Sequence, residues 1–513
     1  MKLTYKRTVL VGFAFFLICH FWQAYDTYIP KILTDKFGMS QTWSGVIMAL
    51  DNILALFLLP LFGALSDKCR SKRGKRTPFI IIGTLVACCA VLLLAGADAM
   101  QTAKVQSVDP FRDKEAALET LWEADPVIQY RNTGEKKALS DIYTHDEFVK
   151  VELTDAEGNP TSDYDHIVRA RQAYAAEQTR KSPLVLVMFI AVLLILLVAM
   201  GFFRSPAVAL MPDVTPKPLR SKANAIINLM GAAGGILILV FGILLGTGKI
   251  QKSLMSYSVF FIIVTCVMLV SLLIFVLTVR EPLWARQADD EYKKYYPEEA
   301  EAEPMEEAKD RKLSKGEKIS LILILASVAL WFMGYNAVTS KFSVYAVDVL
   351  GKDFNSTLIF AQAAAILSYV PVGILSSRIG RKKAILIGVA LLTAAFGAAA
   401  FITKDTPSWL MTVMFVIAGI GWATINVNSF PMVVELATGS NTGKYTGYYY
   451  TASMAAQTVT PIFSGVFLDI NMRTLFPYAV IFSGLSFVTM LFVKHGDSKP
   501  IRKSALESLG DAD

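Results

Sequence analysis

Hydrophobic and polar positions along this chain fall into long blocks rather than short alternations. Apolar runs occur near 8–29, 43–65, 78–98, 184–212, 223–246, 255–279, 318–339, 356–376, 384–403, 408–434, 445–468 and 474–493. At 1.5 Å of rise per residue each is long enough to cross a hydrocarbon layer as a helix. The pattern predicts an all-α membrane protein with 12 transmembrane helices. Two polar blocks are long, and they divide the chain: 1–98 (spans one to three), 99–182, 183–279 (spans four to six), 280–317, 318–495 (spans seven to twelve) and a tail, 496–513. The first run follows Lys2, Lys6 and Arg7 like a signal peptide. No small-residue cleavage site follows and more spans do, so it reads as the first membrane helix.

The loop Ser66–Pro78 carries six cations in thirteen residues between two of these runs. Loops this basic stay in the cytoplasm, and an even span count then places both termini there too. The same text recurs. Gly63-Ala64-Leu65-Ser66-Asp67-Lys68 returns 310 residues later as Gly373-Ile374-Leu375-Ser376-Ser377-Arg378, followed by Gly380-Arg381-Lys382-Lys383. Asp213 to Lys222 matches Glu435 to Lys444 at an offset of 222. The offsets differ by 88, close to the 84 residues of 99–182, which marks that block as an insertion into the first of two six-helix halves. Its position between spans three and four puts it outside the cell. Within it, Gly158-Asn159-Pro160 reads as a turn and His166 to Arg180 as a helix. Residues 280–317, with acidic runs at Asp289–Glu291 and Glu298–Glu307, read as a solvated, partly helical linker.

Composition agrees with a membrane protein. The chain of 513 residues is 54% apolar and 18% charged. Its net charge of +7 sits in short loops, where it sets topology, so nucleic acid is not an expected partner. Cys19, Cys69, Cys88, Cys89 and Cys266 have neither metal-ligand nor disulfide spacing. No nucleotide loop or nucleophile constellation appears. The sequence therefore predicts no enzyme and no cofactor.

The repeated loop, Gly-x-x-x-Asp-(Arg/Lys) followed by Gly-(Arg/Lys)-(Arg/Lys), resembles the signature of the major facilitator superfamily. The text Leu65-Ser66-Asp67-Lys68-Cys69 and Gly74-Lys75-Arg76-Thr77-Pro78-Phe79-Ile80 is similar to the branch holding sucrose transporters and glycoside–pentoside–hexuronide:cation symporters. The resemblance implies a twelve-helix fold and a sugar carrier working by alternating access, with Asp67 as an inner latch; Ser377 replaces that acid in the second copy. Span four departs from the plant-type pattern: Val208 stands where those transporters have arginine and Leu197 where they have aspartate. The sodium-binding aspartates of the melibiose type fall near Ala55 and Leu59 here. Neither the plant-type proton arrangement nor that sodium site is present, so coupling, expected to use H⁺ rather than Na⁺, falls to other residues.

A charge inside a span costs about 2.5–3.5 kcal/mol on insertion scales, so it usually faces a cavity or a partner. Asp51, about 12 Å below the outer end of span two, is the expected proton carrier. Asp26, read as near the outer mouth of span one with Trp22 and Gln23 on its arc, is the second candidate. Arg204 falls in the inner half of span four, where its fork can hold a hydroxyl or a carboxylate. Sugar sites combine aromatic faces with convergent amides and hydroxyls. The candidates are Asn52 beside Asp51, Asn224 and Asn228 on span five, Trp331, Tyr335 and Asn336 on span seven, Trp422 and Asn426 on span ten, and Tyr450 and Gln457 on span eleven. Asp213 and Glu435, at equivalent inner ends of spans four and ten, are expected to pair with the basic loops and close an inner gate. That gate comprises Gly63, Asp67, Lys68, Gly74, Lys75 and Arg76 with Arg378 and Arg381.

Together these readings predict a monomeric sugar:H⁺ symporter of the plasma membrane. An exporter of amphipathic compounds and a transporter-derived sensor are the competing readings.

Overall fold

The computed structural model describes residues 3–129, 135–155, 160–216, 219–295, 313–436 and 442–496. Among these are sixteen α-helices. The first half is α1 (Tyr5–Asp35), α2 (Gln41–Asp67), α3 (Thr77–Val105), α7 (Leu184–Asp213), α8 (Arg220–Leu245) and α9 (Ser258–Thr278). The second is α11 (Lys315–Asp348), α12 (Phe354–Ile379), α13 (Arg381–Ala399), α14 (Ser408–Val434), α15 (Thr442–Ile470) and α16 (Leu475–Leu491). Eleven of the described helices are long and apolar enough to cross a membrane. The twelfth, α15, is more polar because Tyr448, Tyr449, Tyr450, Thr451 and Ser453 crowd one stretch.

Local chemistry sets the helix ends. Ser40 caps α2 by accepting the Trp43 amide, Asp353 caps α12 through the amides of Asn355 and Ser356, and Ser314 with Glu317 forms a capping box on α11. Gly246, at φ +68°, closes α8 in the left-handed region.

Two expectations change. Span one does not stop near residue 29; α1 runs on to Asp35, so Lys31 and Asp35 are buried within it as an ion pair of 2.9 Å. The start of the linker is helical, as expected, but packed rather than fully solvated. Helix α10 (Glu281–Tyr295) buries Glu281, Trp284 and Ala288, and Arg7 lies over the Trp284 ring at 5.5 Å. The acidic run Glu298–Glu307, the turn residues Gly158 and Asn159 and the tail from 497 lie outside the described residues.

The block between α3 and α7 folds into a small cap. It contains α4 (Lys114–Ala124), a hairpin of β1 (Ile128–Gln129) and β2 (Lys136–Lys137), α5 (His145–Phe148) and α6 (Ser162–Lys181). Leu118, Leu121, Leu139, Phe148, Tyr164 and Ile167 form its buried core. Burial in that core pushes the Tyr164 hydroxyl up to about 12. Below the cap, Lys36 and Asp98 form a fully buried ion pair, and Asp98 also accepts from the Tyr257 amide at 2.7 Å.

The two halves join at the cap end. Lys341 of α11 donates to the Gln41 carbonyl at 3.1 Å, and Asp469 of α15 accepts from the Gln41 and Thr42 amides at 2.7 and 2.9 Å. Tyr28 bonds Asn355 at 3.1 Å, and a Cβ at Gly45 or Gly465 would run into the facing backbone of the other half. At the opposite end, which carries the basic loops, the described bonds lie within one half or the other.

Candidate functional site

Asp26 of α1 is exposed although its neighbours Tyr25 and Thr27 are buried. It sits nine residues from the end of α1, and Asp51 sits ten from the start of α2, which places both about 14–15 Å from the cap end of their helices. Asp26 is therefore not at the outer mouth, as its place in the sequence suggested, but level with Asp51. Both carboxylates are within electrostatic reach of Arg204 and of each other. The Arg204 guanidinium lies over the Trp22 ring, 5.4 Å from its centroid. An exposed carboxylate inside a helix bundle marks a hydrated cavity, because in lipid or packed core its charge would be far costlier.

The cluster is assembled from three helices. Asp51 Oδ1 accepts from the amide and the side chain of Asn52 at 2.6 and 2.7 Å, which turns the carboxylate along the helix. Trp22 stands edge-on to Tyr25 at 5.4 Å, and its indole Nε1 is buried without a partner. Gln23 donates to Thr27 at 2.9 Å and accepts from Gln362 of α12, so it links the halves.

Tyr25 joins this cluster. Its hydroxyl is buried and unpartnered within electrostatic reach of Asp26 and Asp51. The aromatic pattern Trp22-x-x-Tyr25-Asp26 was its only signal.

The second half supplies an aromatic wall. Tyr335 of α11 stacks on Trp422 of α14 with centroids 3.7 Å apart and planes 3° from parallel, and Phe332 meets Trp422 edge-on at 5.1 Å. Asn336, next to Tyr335, has a buried side-chain nitrogen without a partner. Asn426 and Gln457 are half-buried, as are Asn224 and Asn228, and the Asn228 amide nitrogen is also unpartnered. Trp331 is placed differently: its side chain is fully buried, with the indole Nε1 unpartnered. Tyr450 is exposed beside Phe430, with ring centroids 6.0 Å apart. On the same helix, Ser453 and Thr460 donate to the carbonyls of Tyr450 and Ala456.

The expected inner-gate residues form ion pairs inside each half rather than between halves. Arg76 bonds Asp67 at 2.5 Å and Asp213 at 2.8 Å, and Arg381 pairs with Glu435. Lys68 and Arg378 are exposed. Gly63 lets α2 approach α7, since a Cβ there would meet Ser205 Oγ at 2.9 Å. The residue missed was Glu281. Its carboxylate accepts from the amides of Lys75, Arg76 and Thr77 at 2.6, 3.0 and 2.8 Å, and so caps the first turn of α3. Gly74, at φ +110°, lies against that carboxylate, where any Cβ would collide.

Two six-helix halves around a cavity that holds charges from several helices define a multi-pass membrane transport protein. The sequence profile described as Major Facilitator Superfamily matches residues 182–369 and 356–510, and one described as MFS/sugar transport protein matches residues 11–107. The chain belongs to the major facilitator superfamily. It is similar to sucrose transport protein SUC4 of Arabidopsis thaliana, 36% identical over 62 residues, 12% of each chain. It is 40% identical over 57 residues to sucrose transport protein SUT4 of Oryza sativa subsp. japonica, 11% of this chain and 10% of that one. The matches thus span about an eighth or less of these relatives. Among solved structures, a D-xylose-proton symporter aligns over 96% of this chain and 99% of its own, with TM-score 0.59 and 15% identity. The inward-open xylose transporter XylE of E. coli aligns over 94% of each, with TM-score 0.54 and 13% identity. A bacterial homologue of the iron transporter ferroportin, inward-facing, aligns over 96% of this chain and 99% of its own, with TM-score 0.59 and 13% identity. At such identities the likeness is one of fold.

Proposed function

We propose that this chain is a sugar or glycoside:H⁺ symporter, a plasma-membrane monomer that works by alternating access. Its termini and basic loops lie in the cytoplasm and its cap outside. The observation that carries this reading is the Asp26–Asp51–Arg204–Trp22 cluster in the cavity, with the stacked Tyr335–Trp422 pair on the second half. The local similarity to proteins named as sucrose transporters favours a disaccharide.

Each part has a role that its chemistry supports. The Arg204 fork donates to sugar hydroxyls, and aromatic rings of the two halves receive the apolar faces of the sugar rings. Arg204 balances one of the two acids when both are ionised. A proton on Asp51 removes the remaining charge, and that neutral state crosses between openings at the least electrostatic cost. The bonds between the halves at the cap end, Lys341–Gln41 and Asp469–Thr42, support reading this state as closed on that side.

Uptake of a panel of radiolabelled disaccharides into right-side-out vesicles, with and without an inward pH gradient, tests the reading. Accumulation that collapses with the gradient is expected. Extrusion, or accumulation indifferent to pH, would overturn it.

A further inference from the structure

We propose that the cap is a swinging outer gate, fixed to the first half and releasable from the second at Gln172–Asp348 and Pro160–Gly351. The inference rests on the proposed orientation, in which the cap end faces outside.

The attachments to the two halves differ in kind. On the first half, α6 runs into α7 with only Ser182 and Pro183 between them. The Gly38 backbone, at φ +65°, is packed against that of Gln172 and Ala176 with no room for a side chain. Thr179 accepts from Gln101 at 3.2 Å, and the buried Arg171 donates to Ser253 at 3.2 Å. These contacts come from the loop between α1 and α2, from α3 and from the turn before α9, so the cap moves with that half.

On the second half the hold is slight. The Gln172 side-chain nitrogen reaches Asp348 Oδ2 at 3.3 Å and Asp35 Oδ1 at 3.4 Å, bridging the ends of α11 and α1 with one amide. The Pro160 ring rests on Gly351, at φ +63°. The other oxygen of Asp348 is buried with no partner. Leaving it so is unfavourable and offsets part of what the bridge contributes, and separation of the halves rehydrates it. Asp348 is also within electrostatic reach of Arg171 and Asp165 of the cap, one attractive and one repulsive. Among the described residues the latch is thus one long hydrogen bond, one apolar contact and opposed charges, weak enough to open in every cycle. Lys31, paired with Asp35 at 2.9 Å, keeps the first-half carboxylate satisfied when Asp348 leaves.

The test uses the full chain in lipid nanodiscs with its five cysteines replaced by serine. Spin labels at Ala116→Cys and Asp405→Cys report cap to second half. Labels at Ala116→Cys and Lys249→Cys report cap to first half. Gln172→Ala is expected to raise a longer-distance population about three- to tenfold in the first pair, the weight of one hydrogen bond. The second pair should be unmoved. Pro160→Ala, in a turn, should act in the same direction and serves if Gln172→Ala folds poorly. Unchanged distances in the first pair for both variants overturn the gate, and so does parallel movement in both pairs, which means the cap melts. The readout needs no sugar. A separate measurement, labelling of Ala116→Cys by an impermeant maleimide on intact cells, tests the orientation: failure there overturns that reading while leaving the distances interpretable.

Discussion

Arg204 and Trp22 join α7 to α1 across the cavity, the guanidinium centred 5.4 Å from the indole centroid. This contact holds the cation within electrostatic reach of both Asp26 and Asp51, so the pair bears on the electrostatics of the site. A cation–π contact of this kind contributes about 0.5–2 kcal/mol. Trp22→Leu is expected to weaken substrate binding about 2- to 30-fold, measured by isothermal titration on purified protein. Arg204→Lys keeps the charge but loses the fork and should lose more. Equal affinities in wild type and Arg204→Lys would remove Arg204 from the substrate site.

Asp51→Asn is expected to abolish accumulation driven by a pH gradient while leaving sugar counterflow largely intact. The amide keeps the size and hydrogen bonding of the carboxylate but does not titrate. Asp26→Asn, facing the open cavity, should instead raise KM more than it impairs coupling. Both variants should be measured in the same vesicles. Concentrative uptake by Asp51→Asn would pass the coupling role to Asp26.

Stability at the cap end depends on the buried Lys36–Asp98 pair. Removing one member leaves the other charge buried, which costs about 3–5 kcal/mol. Asp98→Ala should also orphan the Tyr257 amide and lower the melting temperature in detergent clearly. An unchanged melting temperature would show that the pair is hydrated in solution.

Gly74→Ala is expected to be harmful out of proportion to its size. The left-handed backbone alone costs a side chain about 1–2 kcal/mol, and the methyl group displaces the Glu281 carboxylate from the α3 cap. Thermal unfolding of Gly74→Ala and Glu281→Gln should fall together. A neutral Gly74→Ala would mean that the loop readily finds another path.

Much of the architecture could be read in the chain because bilayer physics writes it in large letters. Apolar runs, the basic loop and its repeat gave the twelve helices and the two-fold arrangement. Asp51, Asp26 and Arg204 stood out because charge is rare in a span, and the three lie within electrostatic reach of one another. The faces of the helices were far less legible. Lipid and protein core are both apolar, so a helix such as α11 carries little periodic signal. Trp331 looked like a cavity residue for that reason, yet it is buried, while Tyr335 one turn on carries the stack. Contacts between distant segments, Lys36 with Asp98 or Glu281 with Thr77, left no pattern at all.

Glu281 also decides where the chain can be divided. Residues 280–295 follow the last helix of the first half in sequence, but the carboxylate that seats α3 and the indole that receives Arg7 lie within them. Two separately expressed fragments should reassemble into a working carrier when the break comes after Tyr295. A break at residue 279 would send the α3 clamp away with the wrong fragment, leaving the first without a seat for its own basic loop.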